Sequence, residues 1–243
     1  MIRIPVLRPG VCEPFPPADS ALREPDGLLA AGGDLAPERL LDAYRHGIFP
    51  WFSEGQPILW WSPDPRTVFA TDRIHVPARL RRWLQHSDWT LRSDGDFVGV
   101  VRACAAPRAR QQTTWITAEM CDAYCRLHEL GFAHSVEAYN PSGRLVGGIY
   151  GVAIGRMFFG ESMFSAATNG SKVALMALCR VLHAWGFRLL DAQLPSPHLA
   201  RLGAFAMPRA AFLAHVATAC TEPFPAGSWR KRWPALATRE LAT

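Results

Sequence analysis

The chain is predicted to fold as an α+β protein, with a small N-terminal α/β domain over residues 1–64 and a mixed sheet covered by helices over 65–243. Three observations predict it. The first sixty-odd residues crowd Pro, Gly and Trp around a single helical segment. Residues 133–165 then break into short apolar runs separated by turn formers. Finally, a helix with start and stop signals, a short apolar strand and two more helices close the chain. With 243 residues, 49% hydrophobic and 19% charged, there is enough apolar material to bury a core.

Taken in order, "APERLLDAYRHG" reads as the N-terminal helix, closed by Gly47. The following "IFPWFSEGQPILWWSPDPR" holds too many turn formers for a long helix and reads as an irregular platform. "VPARLRRWLQHS" is a short basic helix and "SDGDFVGVVRACA" a turn leading into another. After the helix "AEMCDAYCRLHELG", three strands follow, "AHSVEAY", "RLVGGIYGVAIG" and "RMFFGESMFS", the first two joined by the turn "NPSG". Their spacing predicts an antiparallel meander. "NGSKVALMALCRVLHAWG" carries Val173, Leu178, Leu182 and Trp185 at helical spacing, with Gly186 as its stop. Strand "RLLDAQL" and helices "SPHLARLG" and "PRAAFLAHVAT" complete the pattern.

The net charge is +5, and Lys172 and Lys231 are the only lysines, so the positive charge is nearly all arginine. Such a balance is compatible with a nucleic-acid partner, although arginine-rich composition also follows from a GC-rich genome. Arg79, Arg81 and Arg82 cluster on the short basic helix, either as a solvated face or as phosphate contacts. No apolar leader opens the chain and no stretch is long enough to span a membrane, so a cytoplasmic protein is expected. Six cysteines without a C-x-x-C pair read as reduced thiols. Cys121, Cys125 and His128 share a helical face, but the sequence nominates no fourth ligand, so no metal is expected.

Two acids stand out because they interrupt apolar strands: Glu161 in "GESMFS" and Asp191 in "LLDAQL". A charge between apolar neighbours is costly unless something pairs with it, so each acid needs a structural partner or a cationic ligand. Asp191 and Gln193 are two apart and face one way, with Leu190, Ala192 and Leu194 facing the other. The "NGSK" at a helix start lacks the spaced glycine of a phosphate loop, and no G-x-G-x-x-G opens a helix, which argues against ATP and dinucleotides.

The motifs "GLLAAGGDL", "YRHGIFPWF", "WWSPDPR", "TWIT", "LHELGFAHSVE", "LVGGIYGVAIG", "FFGESMFS", "LLDAQL" and "HLARLGAFAMPRAAFL" together resemble the leucyl/phenylalanyl-tRNA–protein transferase family from about Phe15 to the last helix. The resemblance implies a GNAT-like catalytic domain, whose strand and helix order acyl-CoA N-acetyltransferases share. "SAATNGSKVAL" lacks the pyrophosphate turn of those enzymes, so an acyl-CoA ligand is not expected. A non-catalytic binder of basic N-termini or RNA is the other alternative, and it has no need of both acids and an apolar pocket in one site.

The family moves Leu or Phe, and less readily Met, from aminoacyl-tRNA to the N-terminal Arg or Lys of a protein, marking it for degradation. By resemblance, Glu161 and Asp191 bind or steer the incoming amine and cation, and Gln193, held by Asp191, orients the attacking nitrogen. Ile149, Phe158, Met163, Leu178, Ala192 and Leu194 match the apolar pocket for the transferred side chain. Trp51 and Trp115 match positions near the terminal adenosine, and Arg79, Arg81 and Arg82 would meet tRNA phosphates. No cofactor is implied, because an aminoacyl ester is already activated.

Overall fold

The computed structural model describes residues 4–11, 13–107 and 115–242, so Cys12 and Thr114 of the "TWIT" motif lie outside the described residues. Strands β1 (Val6–Leu7) and β2 (Leu28–Gly32), helix α1 (Pro37–Arg45), and strands β3 (Phe49–Pro50) and β4 (Leu59–Trp61) build the N-terminal part. These four strands form one sheet in the order β1-β2-β4-β3. The sequence reads this region as irregular because its strands are two to five residues long and interrupted by Pro and Gly, which leaves no period-2 signal to detect.

Everything after it belongs to a second sheet and its helices. In chain order these are β5 (Arg66–Ala70), α2 (Ala78–Gln85), β6 (Thr90–Ser93), α3 (Phe97–Ala105), α4 (Ala118–Glu129), β7 (Ala133–Tyr139), β8 (Leu145–Ile154) and β9 (Met157–Ser165). Then come α5 (Gly170–Ala184), β10 (Leu189–Gln193), α6 (Pro197–Ala200), β11 (Phe205–Met207), α7 (Arg209–Ala219) and β12 (Leu236–Ala237). The eight strands lie in the order β11-β5-β10-β9-β8-β7-β6-β12. β7, β8 and β9 are the expected antiparallel meander. β10 joins β9 in parallel, which requires a crossover, and α5 supplies it. The fold is therefore the predicted α+β arrangement, a mixed sheet with helices on both faces.

Two apolar clusters hold those helices. On one face Leu40 and Tyr44 of α1, Val100 of α3, Tyr124 of α4 and Phe212 of α7 pack with Phe159. On the other, Leu84 of α2 and Val173, Leu178 and Leu182 of α5 pack with Phe158 and Trp229. Phe158 and Phe159 point to opposite faces because successive strand residues alternate. α5 begins where the sequence signals it, but Asn169 does not cap it with its side chain: its Oδ1 accepts from Lys172 Nζ, and Ser165 Oγ accepts the Ser171 amide at 2.8 Å instead.

The start of α5 sits directly on β8 because neither chain carries a side chain there. A Cβ on Gly147 would lie 2.3 Å from the backbone of Gly170. Gly147→Ala is expected to push helix and strand apart at a cost of about 2 to 3 kcal/mol, read as a melting temperature lower by roughly 5 to 10 °C. An unchanged melting temperature would show that the contact yields freely.

Candidate active site

The buried acids lie where β9 and β10 stop pairing. Their parallel ladder holds only Leu190 opposite Phe158 and Asp191 opposite Phe159. Beyond those pairs the ladder ends and the strands part, and each strand carries an irregularity there. On β9, Tyr150 pairs with Ser162 and Gly151 with Gly160, so Glu161 is the extra residue of a bulge. The bulge also reverses the alternation: Met163 joins the α5 face and Phe164 the opposite one. On β10, a register shift between Asp191 and Gln193 accompanies a positive φ of 62° at Gln193. Non-glycine residues occupy that region at a cost, and such strain gathers at functional sites.

Asp191 finds its cation inside the chain. Arg66, the first residue of β5, donates Nε to Oδ1 at 2.8 Å and Nη2 to Oδ2 at 2.7 Å, a bidentate pair with both residues 0% exposed. The third guanidinium nitrogen, Nη1, donates to the Gly47 carbonyl at 2.9 Å, and the group lies between the rings of Phe49 and Phe212. Asp191 Oδ1 also accepts the Gln193 amide at 2.9 Å, which holds the β10 bulge in place.

Glu161 is matched differently, by neutral hydroxyls and an amide. Tyr44 from α1 reaches Oε1 at 2.7 Å, Tyr124 from α4 reaches Oε2 at 2.6 Å, and Gln193 Nε2 reaches Oε1 at 2.8 Å. Burial pushes the Glu161 carboxyl up to about 7 against the pull of these hydrogen bonds, and burial together with the Glu161 charge drives the Tyr44 and Tyr124 hydroxyls well above their ordinary value. Because Gln193 turns its amide nitrogen to Glu161, its carbonyl oxygen is directed away from that carboxyl.

Asp191 and Gln193 share a face as expected, and Glu161 joins them there. The apolar residues divide. Ile149, Phe158, Met163, Leu178 and Ala192 belong to the cluster under α5, with Ile149, Phe158 and Leu178 fully buried and Met163 and Ala192 half-buried. Leu194 departs from expectation: it packs with the opposite cluster. The positive φ of Gln193 ends β10 before Leu194, so strand alternation no longer applies to it. Met163, Ser162, Ser165, Ser171 and His198 line a cleft of about 860 Å³ between the far half of β9, the start of α5 and the α6 segment.

Arg79, Arg81 and Arg82 are exposed on α2, and Arg79, Trp83 and Lys172 line a smaller cleft of about 420 Å³ beside the start of α5. Trp51 is 39% exposed, edge-on to Trp61, whose indole donates to the Trp51 carbonyl. Trp115 is half-buried against the cluster containing Tyr124. Of the cysteine and histidine group, His128 bonds the Ala133 carbonyl through Nδ1 and stacks on Phe97 at 4.2 Å. Among the described residues no helix is long and apolar enough to cross a membrane.

Sequence reasoning misses Arg66, Tyr44 and Tyr124. Each sits in or beside a segment the sequence does single out, "WWSPDPR", "YRHGIFPWF" and the α4 helix, yet nothing local marks it as a partner of an acid more than thirty residues away.

Residues 68–217 match the model of a family described as leucyl/phenylalanyl-tRNA protein transferase, and residues 33–64 match that of its N-terminal domain. The chain belongs to this family. A leucyl/phenylalanyl-tRNA–protein transferase of Xanthomonas campestris pv. campestris (strain B100) is 61% identical over 229 residues, covering 94% of this chain and 92% of its own. One from Stutzerimonas stutzeri (strain A1501) is 56% identical over 216 residues, covering 89% and 95%. Among solved structures, a GCN5-related N-acetyltransferase from Sphaerobacter thermophilus aligns at TM-score 0.36 and 16% identity, over 76% of this chain and 58% of its own. Membership makes the protein an aminoacyltransferase that draws on aminoacyl-tRNA. The opening between β9 and β10, with Gln193 at its edge, is then its candidate active site.

Two stability predictions follow from the buried charges. Arg66→Met strands a buried carboxylate and is expected to cost about 3 to 5 kcal/mol, whereas adding Asp191→Asn to it restores part of the loss. Urea unfolding of the single and double variants measures this, and a double variant no better than the single would remove the ion pair from the account.

The second concerns pH. Burial also raises Glu137 to about 7, so Glu137 and Glu161 each hold, between about pH 4.5 and 7, a proton that the unfolded chain has released. Stability therefore falls as pH rises through that window, by on the order of 3 kcal/mol per group. Glu161→Gln is expected to flatten its share of the decline when denaturation at pH 5 and pH 8 is compared, and an unaltered slope would show that Glu161 ionises as an ordinary carboxyl.

Proposed function

We propose that this enzyme moves leucine or phenylalanine, and less readily methionine, from aminoacyl-tRNA to the N-terminal Arg or Lys of an acceptor protein, so marking it for degradation. The observation that carries the reading is the Gln193 amide, pinned by Asp191 through its backbone and by Glu161 through its side chain at the mouth of the split sheet. An acceptor of this kind can hold one proton of an incoming amine and aim the nitrogen lone pair at an ester carbonyl. The amine nitrogen bonds to the carbonyl carbon, the bond from that carbon to the ribose oxygen breaks, and the amine's displaced proton ends on the departing hydroxyl. The ester is already activated, and an α-amino group with a pKa near 8 keeps a useful neutral fraction, so positioning is the main demand on the protein.

The transferred side chain enters the apolar ground under α5, where half-buried Met163 and Ala192 adjoin Ile149, Phe158 and Leu178. The tRNA end meets Trp51 and Trp115, its phosphates meet Arg79, Arg81 and Arg82, and the chain divides functionally at residues 64 and 65. Such phosphate contacts suit an enzyme that accepts several tRNAs, because they carry no sequence information. The reaction would run in the cytoplasm, where charged tRNA and newly exposed N-termini meet.

The test incubates the protein with labelled leucyl-tRNA or labelled acetyl-CoA and a peptide beginning with Arg. Label is expected to reach the peptide from the tRNA alone. Replacing Arg79, Arg81 and Arg82 by alanine is expected to weaken tRNA binding by about tenfold or more and to reduce its salt dependence, while transfer from an aminoacyl-adenosine changes much less. Transfer from acetyl-CoA, or none from tRNA, would overturn the assignment, and equal losses with both donors would make the arginines structural.

A further inference from the structure

The oxygen atoms around Glu161 hold a proton count that does not balance for a carboxylate. Tyr44 Oη is 2.7 Å from Oε1, Tyr124 Oη is 2.6 Å from Oε2, and the two hydroxyls are 2.6 Å from each other. Oxygens this close need a proton between them, and three such contacts need three. Two tyrosines bring two. With Glu161 ionised, one contact sets lone pair against lone pair in a fully buried place, where low polarity makes the repulsion costly.

A proton on Glu161 closes the ring. Glu161 Oε2 donates to Tyr124, Tyr124 donates to Tyr44, and Tyr44 donates back to Oε1, which also accepts Gln193 Nε2. Every hydroxyl then donates once and accepts once. Among the described residues the neighbouring groups bring no competing cation: Tyr150 of β8 faces the site, Cys104 of α3 and Cys121 and Cys125 of α4 lie near Tyr150, and Arg66 of β5 is held by Asp191 of β10. The upward displacement of the Glu161 carboxyl has the same sense.

We infer that Glu161 serves transfer as a neutral carboxylic acid, with Tyr44 and Tyr124 as positioning residues that close its hydrogen-bond ring and hold the Gln193 amide with Oε1 toward the opening. The inference rests on the proposed role of Gln193 in orienting the acceptor amine. It also gives the N-terminal part of the chain a place in the reaction, since Tyr44 comes from α1. Ionising Glu161 removes one proton from the ring and sets two of its oxygens against each other, so the carboxylate shifts and carries the Gln193 amide out of place, and turnover declines on the alkaline side even though more acceptor amine is neutral there.

The experiment measures kcat and acceptor KM for transfer from leucyl-tRNA to an Arg-initiated peptide between about pH 6 and 9, with melting temperature and tRNA binding on the same preparations. Tyr44→Phe and Tyr124→Phe are each expected to lower kcat by about tenfold while acceptor KM and tRNA affinity stay within about twofold. Glutamine copies the protonated acid, one donor and one acceptor, so Glu161→Gln is expected to recover about tenfold of what Glu161→Ala loses and to abolish the alkaline decline. A stable Glu161→Gln protein as inactive as Glu161→Ala overturns the inference, because the negative charge is then what matters, and so does wild-type kcat in both phenylalanine variants. Where Glu161→Gln fails to fold, carbon-13 NMR of wild-type glutamate carboxyls decides, with Glu137→Gln identifying the other upward-shifted group: a protonated Glu161 at about pH 6 supports the inference and an ionised one overturns it. A wild-type protein that transfers nothing to the peptide refutes the proposed function instead, and the NMR result still stands for Glu161.

Discussion

The Arg66–Asp191 ion pair is the constraint on which the site depends. It joins β5 to β10 from within, where the bidentate geometry offsets part of the cost of removing two charges from water. The same guanidinium reaches the Gly47 carbonyl just past α1 and lies between Phe49 and Phe212, so one side chain ties the N-terminal part, the central sheet and α7 together. The same carboxylate takes the Gln193 amide and thereby fixes a residue in left-handed backbone. Fold and site are thus secured by the same two side chains, Asp191 and Arg66. A change in the docking of α1 would be felt at Gln193 without any substitution near the opening.

Two acids in one sheet are stabilised by opposite means, and the difference assigns them different work. Asp191 is matched by a full positive charge and by the stiffness of a two-point contact. Glu161 is matched by hydroxyls and an amide, which can exchange protons among themselves but cannot cancel a charge. The first arrangement fixes a backbone, and the second fixes the rotation of a side-chain amide. Both converge on Gln193, one through its N–H and the other through its Nε2.

The individual elements around this point are legible in the sequence because long periodic segments announce themselves. The meander from Ala133 to Ser165, the helix over Gly170–Ala184 and the face shared by Asp191 and Gln193 all rest on spacing within one element. Pairings between elements were not legible. Arg66 is one arginine among many until β5 is laid antiparallel to β10, and the short strands β5, β6, β11 and β12 show no period of their own. Tyr44 and Tyr124 look like ordinary apolar-face residues of α1 and α4, and their hydroxyls acquire meaning only at Glu161. Leu194 departs from the expected face for a related reason: alternation holds only while the strand continues, and nothing local says that Gln193 will end it.

The bulges explain why the acids sit at an opening and not in a closed sheet. A regular β9 would have carried Glu161 in the ladder, with Met163 on the acid face and no break in pairing with β8. One extra residue turns Met163 to the α5 side while leaving Glu161 with the tyrosines, so polar positioning and apolar selection fall on opposite faces of one strand within three residues. The split between β9 and β10 brings these two faces close to one place. In the proposed reaction the aminoacyl ester uses that access, its side chain entering apolar ground while its carbonyl stays beside the groups that orient the amine. On this proposal the irregular strand ends, which look like defects in a sheet, are what allow one substrate to touch both sides of it.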